Sequence, residues 1–192
     1  MKRIILIAGI AALAACNKGP DVNVKNASVG EVAEKVREAA GSGSLVEPGK
    51  WQSKVTVLDV DMPGMPPQFA QRMRETIGKV QATTTETCLT EADVKKPKED
   101  FFAGRSKNCR YEHFTMSGGT IDAAMTCNAQ QGGTMTMTVN GTYASDSYDA
   151  TMAMDMAGGR PRGMHMKSRI ESHRLGECTG DEVNAKNKEV GQ

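Results

Sequence analysis

The chain has 192 residues, a formal charge of +1, 39% apolar residues, and thirteen methionines against one Trp, three Tyr and four Phe. That length fits one domain, and the near-neutral charge argues against a nucleic-acid binder, which is visibly basic. The mean hydropathy of −0.45 and the short apolar runs exclude a multi-span membrane protein, a collagen-like fibre and a charge-driven disordered chain.

The N-terminus sets the expected compartment. Lys2-Arg3 precedes a ten-residue apolar stretch, Ile4 to Leu13, which is too short to cross a bilayer. It ends in Leu13-Ala14-Ala15-Cys16, with small residues before a cysteine, the shape of a secretory signal with a lipobox. In lipoproteins the thiol takes a diacylglyceryl group, the signal (residues 1–15) is removed, and the new amine of Cys16 is acylated. Several acyl chains hold stably where one holds marginally. The alternative is an ordinary cleaved signal with a chance cysteine. Asn17, where an Asp would mark inner-membrane retention, points to the outer membrane, facing the periplasm of a bacterial cell envelope. Losing Lys2 and Arg3 turns the charge from +1 to −1, so no electrostatic case for an acidic partner remains.

Residues 16–27, polar with Gly and Pro, read as the lipidated cysteine and its tether; residues 17–27 span roughly 36 Å at ~3.3 Å per residue. Residues 28–46 read as an amphipathic helix and linker. Ser28 and Glu31 form a capping-box pattern. Val29, Val32, Ala33, Val36 and Ala40 share one face, and Gly41 ends the helix. This helix packs on the domain or stands as a partner-binding stalk.

Residues 47–179 read as a mainly β domain: an antiparallel meander of about seven strands, a strongly curved sheet or small open barrel, with one or two short covering helices. Trp51 to Asp61 is the first strand. Phe69, Met73 and Ile77 then mark a short helix ending at Gly78, and Val80 to Leu89 is threonine-rich and β-like. Thr90 to Asn108 is a long charged segment with one helical turn at its start and Phe101-Phe102 inside it. Tyr111 to Thr115 and Thr120 to Cys127 flank Ser117-Gly118-Gly119; a three-residue turn with a bulge there sets Cys109 opposite Cys127, whereas a two-residue turn puts Phe114 and Met116 on the Met125 face. The first is expected because it satisfies the thiols. Next come Thr134 to Tyr143, Tyr148 to Met156, and Met164 to His173. Folding about Ser145-Asp146 sets Tyr143 against Tyr148, Val139 against Met152, and Met137 against Met154, all on one side. Residues 180–192 are a polar tail.

Four cysteines follow Cys16. An even count in an oxidising compartment reads as two disulfides, and no close pairing such as C-x-x-C favours zinc. Adjacent strands bring Cys109 to Cys127. A bond from Cys88 to Cys178 would tie the second strand to the end of the last and close the sheet.

In order along the chain stand Pro48-Gly49-Lys50-Trp51, Met62-Pro63-Gly64-Met65-Pro66, Cys88-Leu89-Thr90, Cys109, Cys127, Gly141-x-Tyr143, Tyr148 and Arg174-Leu175-Gly176-Glu177-Cys178. Over roughly residues 48–178 this set resembles the bacterial domain-of-unknown-function family numbered 3617, exported proteins common in proteobacteria and often lipoproteins. The family carries no assigned activity, so the resemblance implies an exported β domain and transfers no catalytic residue.

No catalytic signature is present: neither G-x-S-x-G, S-x-x-K nor H-E-x-x-H occurs, and His113, His165 and His173 stand without a partner pattern. The expectation is a non-enzymatic envelope protein without a cofactor, attached to the membrane through Cys16 and binding another envelope protein or playing a structural role. The unusual feature is a stripe of Met135, Met137, Met152, Met154, Met156, Met164 and Met166 on three neighbouring strands. Flexible methionines fill cores, and that is the first reading. An apolar ligand face, and hence carriage of an apolar small molecule, is the alternative. A Cu(I) site is the third, since thioethers select Cu(I), but the pleat aims His165 away from Met164 and Met166. No metal site is therefore assigned.

Overall fold

The computed structural model describes residues 20–41, 45–79, 82–95, 108–129, 133–158 and 163–181. Within them lie strands β1 (Val22–Ser28), β2 (Gly49–Asp61), β3 (Ala82–Leu89), β4 (Cys109–Ser117), β5 (Thr120–Ala129), β6 (Gly133–Tyr143), β7 (Ser147–Ala157) and β8 (Met164–Gly176), with helices α1 (Val29–Ala40), α2 (Pro67–Lys79) and α3 (Glu91–Lys95). All eight strands form one antiparallel sheet in the order β1-β4-β5-β6-β7-β8-β2-β3. The expected mainly β meander is there as β4 to β8. The β2–β3 pair adds to its far edge beside β8, and β1 adds to its near edge. The sheet does not close, so β1 and β3 are its two edges.

β1 is the strand beyond the seven expected, and it corrects the reading of residues 17–27 as tether. Val22, Val24 and Ala27 lie opposite Met116, Phe114 and Tyr111 of β4. Val22 and Ala27 are buried. An edge strand needs only one covered side, so these few apolar residues are enough. Asn26 takes a positive φ of 51°, a conformation Asn tolerates better than most side chains, and its carbonyl accepts a hydrogen bond from Arg110.

From β1 the chain enters α1 with no intervening loop. The Ser28 hydroxyl accepts from the Glu31 N–H, and the Glu31 carboxylate accepts from the Ser28 N–H at 2.6 Å, so the capping box is complete. At the other end the Gly41 N–H reaches the Arg37 and Glu38 carbonyls. Val29, Val32, Ala33 and Val36 are buried, and Val29, Val32 and Val36 join Tyr111, Phe114 and Cys127 in one cluster. The helix is therefore packed on the sheet rather than standing as a stalk. Ser28→Ala is expected to lower stability by about 1 kcal/mol, through loss of the cap, in urea denaturation.

The β4–β5 connection corrects a second expectation. The turn is the two-residue one: Ser117 pairs with Thr120, and Gly118 and Gly119 have φ of 58° and 81°, as a primed hairpin turn requires. Phe114 and Met116 consequently oppose Ala123 and Ile121. Cys109 nevertheless pairs with Cys127, because the register slips by one residue between Tyr111 and His113. The bulge sits at Glu112, inside the strand, rather than at the turn. It leaves both Phe114 and Tyr111 buried in the core.

The sulfurs of Cys109 and Cys127 are bonded across β4 and β5, with Cα atoms 3.9 Å apart. Those of Cys88 and Cys178 are bonded with Cα atoms 5.5 Å apart. The second bond joins edge strand β3 to the residues after β8, over the start of β2, and does not close the sheet.

Two further slips in β2–β8 pairing leave Leu58 and Leu175 as extra residues, and both are exposed. The helix expected around Phe69 forms as α2 beside β2, with Phe69 itself 56% exposed. α3 is capped by Thr90 and Asp93, whose side chains hydrogen-bond each other's backbone N–H. Phe101, Phe102, Cys16 and the signal segment lie outside the described residues, as do 182–192 of the expected tail.

Candidate functional site

Alternation along each strand sends every second side chain to one side of the sheet, and the register converts this into rows. One row runs Met125, Met137, Met154, Met166, Val60 across β5, β6, β7, β8 and β2. The next runs Ala123, Val139, Met152, Ser168, Val57, and a third Ile121, Gly141, Ala150, Ile170, Val55. Met135, Met156 and Met164 lie opposite one another beyond the first row. The methionine stripe thus exists as a contiguous surface on β6 to β8.

It is not a filled core. All seven stripe methionines are only partly buried, whereas Met62, Met116 and Met125 are buried. The core lies at the corner where α1 packs on β1, β4 and β5. Among the described residues, the twelve-residue α1 covers one edge of the eight-stranded sheet and leaves the methionines at the centre of the apolar face only partly buried. Beside the core this face hollows into a cavity of about 280 Å³. That is nearly twice the ~150 Å³ of an apolar cavity that takes up benzene. Strand β4 contributes Tyr111, Phe114 and Met116, and β5 contributes Ile121, Ala123 and Met125. Met137, Val139, Thr142 and Tyr143 come from β6, Tyr148, Ala150 and Met152 from β7, and Ile170 from β8. Leu45 and Val46, just before β2, complete the wall.

Of the seven methionines expected as a ligand face, only Met137 and Met152 line this cavity; Met135, Met154, Met156, Met164 and Met166 continue the apolar face beyond it. The sequence reading missed the tyrosines, Phe114 and Met116. The signal was the Gly118-Gly119 pair, because a two-residue turn alone sets Phe114 and Met116 on this side.

The cavity's few polar atoms are at its wall. Burial raises the Tyr111 phenol to about 12, and its ring meets Phe114 edge-on at 5.4 Å. The Tyr143 hydroxyl, also shifted upward by burial, donates to the Pro20 carbonyl at 3.1 Å. Tyr148 stacks on Trp51 with centroids 6.4 Å apart, and the Trp51 indole N–H donates to the Glu47 carbonyl at 3.0 Å.

The opposite side of the sheet is polar. His165 pairs with Asp155 at 2.7 Å and His113 with Asp122 at 2.6 Å. The hydrogen bond to Asp155, helped by Asp59 and Asp61, holds the His165 imidazole above its usual range. The pleat therefore directs His165 away from Met164 and Met166. Among the described residues, no three His, Cys, Asp or Glu side chains are arranged to hold a metal ion.

A family model described as a protein of unknown function, DUF3617, matches residues 46–178, more than half of the chain. The chain belongs to the DUF3617 family. No curated protein and no solved structure matches it. The DUF3617 region runs from Val46, in the cavity wall, to Cys178, so it takes in β2 to β8 and both disulfides and leaves β1 and α1 outside. Within the DUF3617 region, the Pro48-Gly49-Lys50-Trp51 and Arg174-to-Cys178 motifs meet. Arg174 Nε donates to the Pro48 carbonyl at 2.7 Å, and a Cβ at Gly49 would fall 2.2 Å from the Gly176 carbonyl oxygen. Gly49 has φ of 139°, so both space and backbone require glycine there.

Proposed function

We propose that this protein is a periplasm-facing bacterial lipoprotein, anchored by acyl chains on Cys16 to the outer membrane, that binds an apolar molecule without transforming it. The observation that carries the binding role is the cavity of about 280 Å³, whose lining is almost wholly hydrocarbon, sulfur and aromatic ring. Such a lining excludes water and offers dispersion contacts, and among the described residues that line it there is no paired nucleophile and base. The signal-like start, Cys16 after Ala14-Ala15, supports the envelope location, and two disulfides suit an oxidising compartment.

The test uses the mature Cys16→Ala protein in solution with cis-parinaric acid, a fluorescent fatty acid. Saturable one-to-one binding is expected, weakened at least tenfold by Met137→Trp, which fills the cavity. Unsaturable binding, equal in both proteins, would overturn the reading. In cells, Cys16→Ala is expected to abolish palmitate labelling.

A further inference from the structure

We infer that one acyl chain of the protein's own lipid anchor on Cys16 is a ligand of the cavity, so that the free protein occupies its own site. This rests on the binding and lipidation readings above and names the occupant.

The chain enters the fold at the cavity wall. The Tyr143 hydroxyl donates to the Pro20 carbonyl, and Val22, at the start of β1, lies opposite Met116; Tyr143 and Met116 both line the cavity. Cys16 is four residues before Pro20. A chain of four residues spans at most about 14 Å, so Cys16 is leashed to the cavity at close range. From Tyr143 to Met137, both in the lining, is six residues along β6, about 20 Å of strand, a length that suits an extended long-chain acyl group.

The volume admits one chain and not three. A mature lipoprotein carries three, two on the glyceryl group and one on the amine. Folding one into the cavity leaves two in the bilayer, and two chains are enough for stable anchoring. A ligand on so short a leash is present at an effective concentration in the millimolar range, well above that of a free competitor. An external apolar molecule must displace the anchor's own chain, which couples ligand uptake to how deeply the lipoprotein is seated in its membrane.

The experiment feeds expressing cells a long-chain fatty acid with a terminal diazirine. The mature lipoprotein is reconstituted in phosphatidylethanolamine nanodiscs, irradiated and mapped. The expected product is an intramolecular cross-link from the Cys16 peptide to peptides carrying Met125, Met137 or Met152, reduced at least fivefold in Met137→Trp. Cross-links to phospholipid alone, in a protein whose Cys16→Ala form binds cis-parinaric acid saturably, would overturn the inference and leave the binding reading standing. A Cys16→Ala form that does not bind the probe would overturn both.

Discussion

The Cys88→Ser/Cys178→Ser protein is expected to be about 4–5 kcal/mol less stable than wild type, because the bond closes a loop of 90 residues and chain entropy scales with that length. For a chain of this size that is a fall of roughly 10–15 °C in melting temperature. The Cys109–Cys127 bond, with a separation of 18, is worth about 3 kcal/mol on the same argument. The larger loss has a local signature as well. Among the described residues β3 pairs only with β2, and its far side is a sheet edge. Without the bond to Cys178, β3 keeps one ladder, with the Lys50–Glu86 ion pair at 2.8 Å and the Gln52–Glu86 hydrogen bond at 3.4 Å among its cross-strand contacts, so its amides should exchange faster than those of β6 or β7. Urea denaturation and hydrogen exchange on non-reduced protein check both parts. A double mutant within 1 kcal/mol of wild type, or a peptide map joining Cys88 to Cys109, would refute the account.

The parts of the fold that were legible in the sequence are those where local pattern and pairing carry the same information. Alternation through Thr134 to Tyr143 and Tyr148 to Met156, with a turn between, admits one register that puts both apolar sets on one side. Tyr143–Tyr148, Val139–Met152 and Met137–Met154 are the resulting pairs. The α1 cap was legible for the same reason, since Ser28 and Glu31 act within one turn. β1 was not, because Val22, Val24 and Ala27 become a strand only through β4, more than eighty residues away. Nor was the Glu112 bulge. Nothing in Tyr111-Glu112-His113 marks an extra residue, yet the slip there is what lets a two-residue turn coexist with the Cys109–Cys127 pair.

The site was legible only in part, because a cavity is set by what fails to cover a surface. Periodicity identified the apolar face and its methionines. It carried no information on how far α1 reaches, or that Phe69 of α2 turns outward. The hollow therefore falls beside Phe114, Tyr143 and Tyr148 at the margin of the core, while Met154 and Met166 extend the face past it. Strand adjacency brings Cys109 near Cys127, and the slip at Glu112 sets the register that pairs them.

Trp51→Ala is expected to destabilise the protein by about 3–5 kcal/mol, the range for deleting a large buried ring and leaving its cavity. Trp51 is 2% exposed and sits between Thr87 of β3 and Arg174 of β8, so it locks β2 into the sheet. Trp51→Phe separates the two roles of the side chain. It keeps most of the ring surface and removes the N–H donated to the Glu47 carbonyl, a loss of about 1 kcal/mol. That bond also fixes the segment holding Val46, and the indole face supports Tyr148, so two parts of the cavity wall depend on this residue. Trp51→Phe should therefore weaken cis-parinaric acid binding to the Cys16→Ala protein more than its small stability loss accounts for, measured well below the melting transition. Binding unchanged by Trp51→Phe would show that the wall at Val46 and Tyr148 holds its shape without the indole N–H.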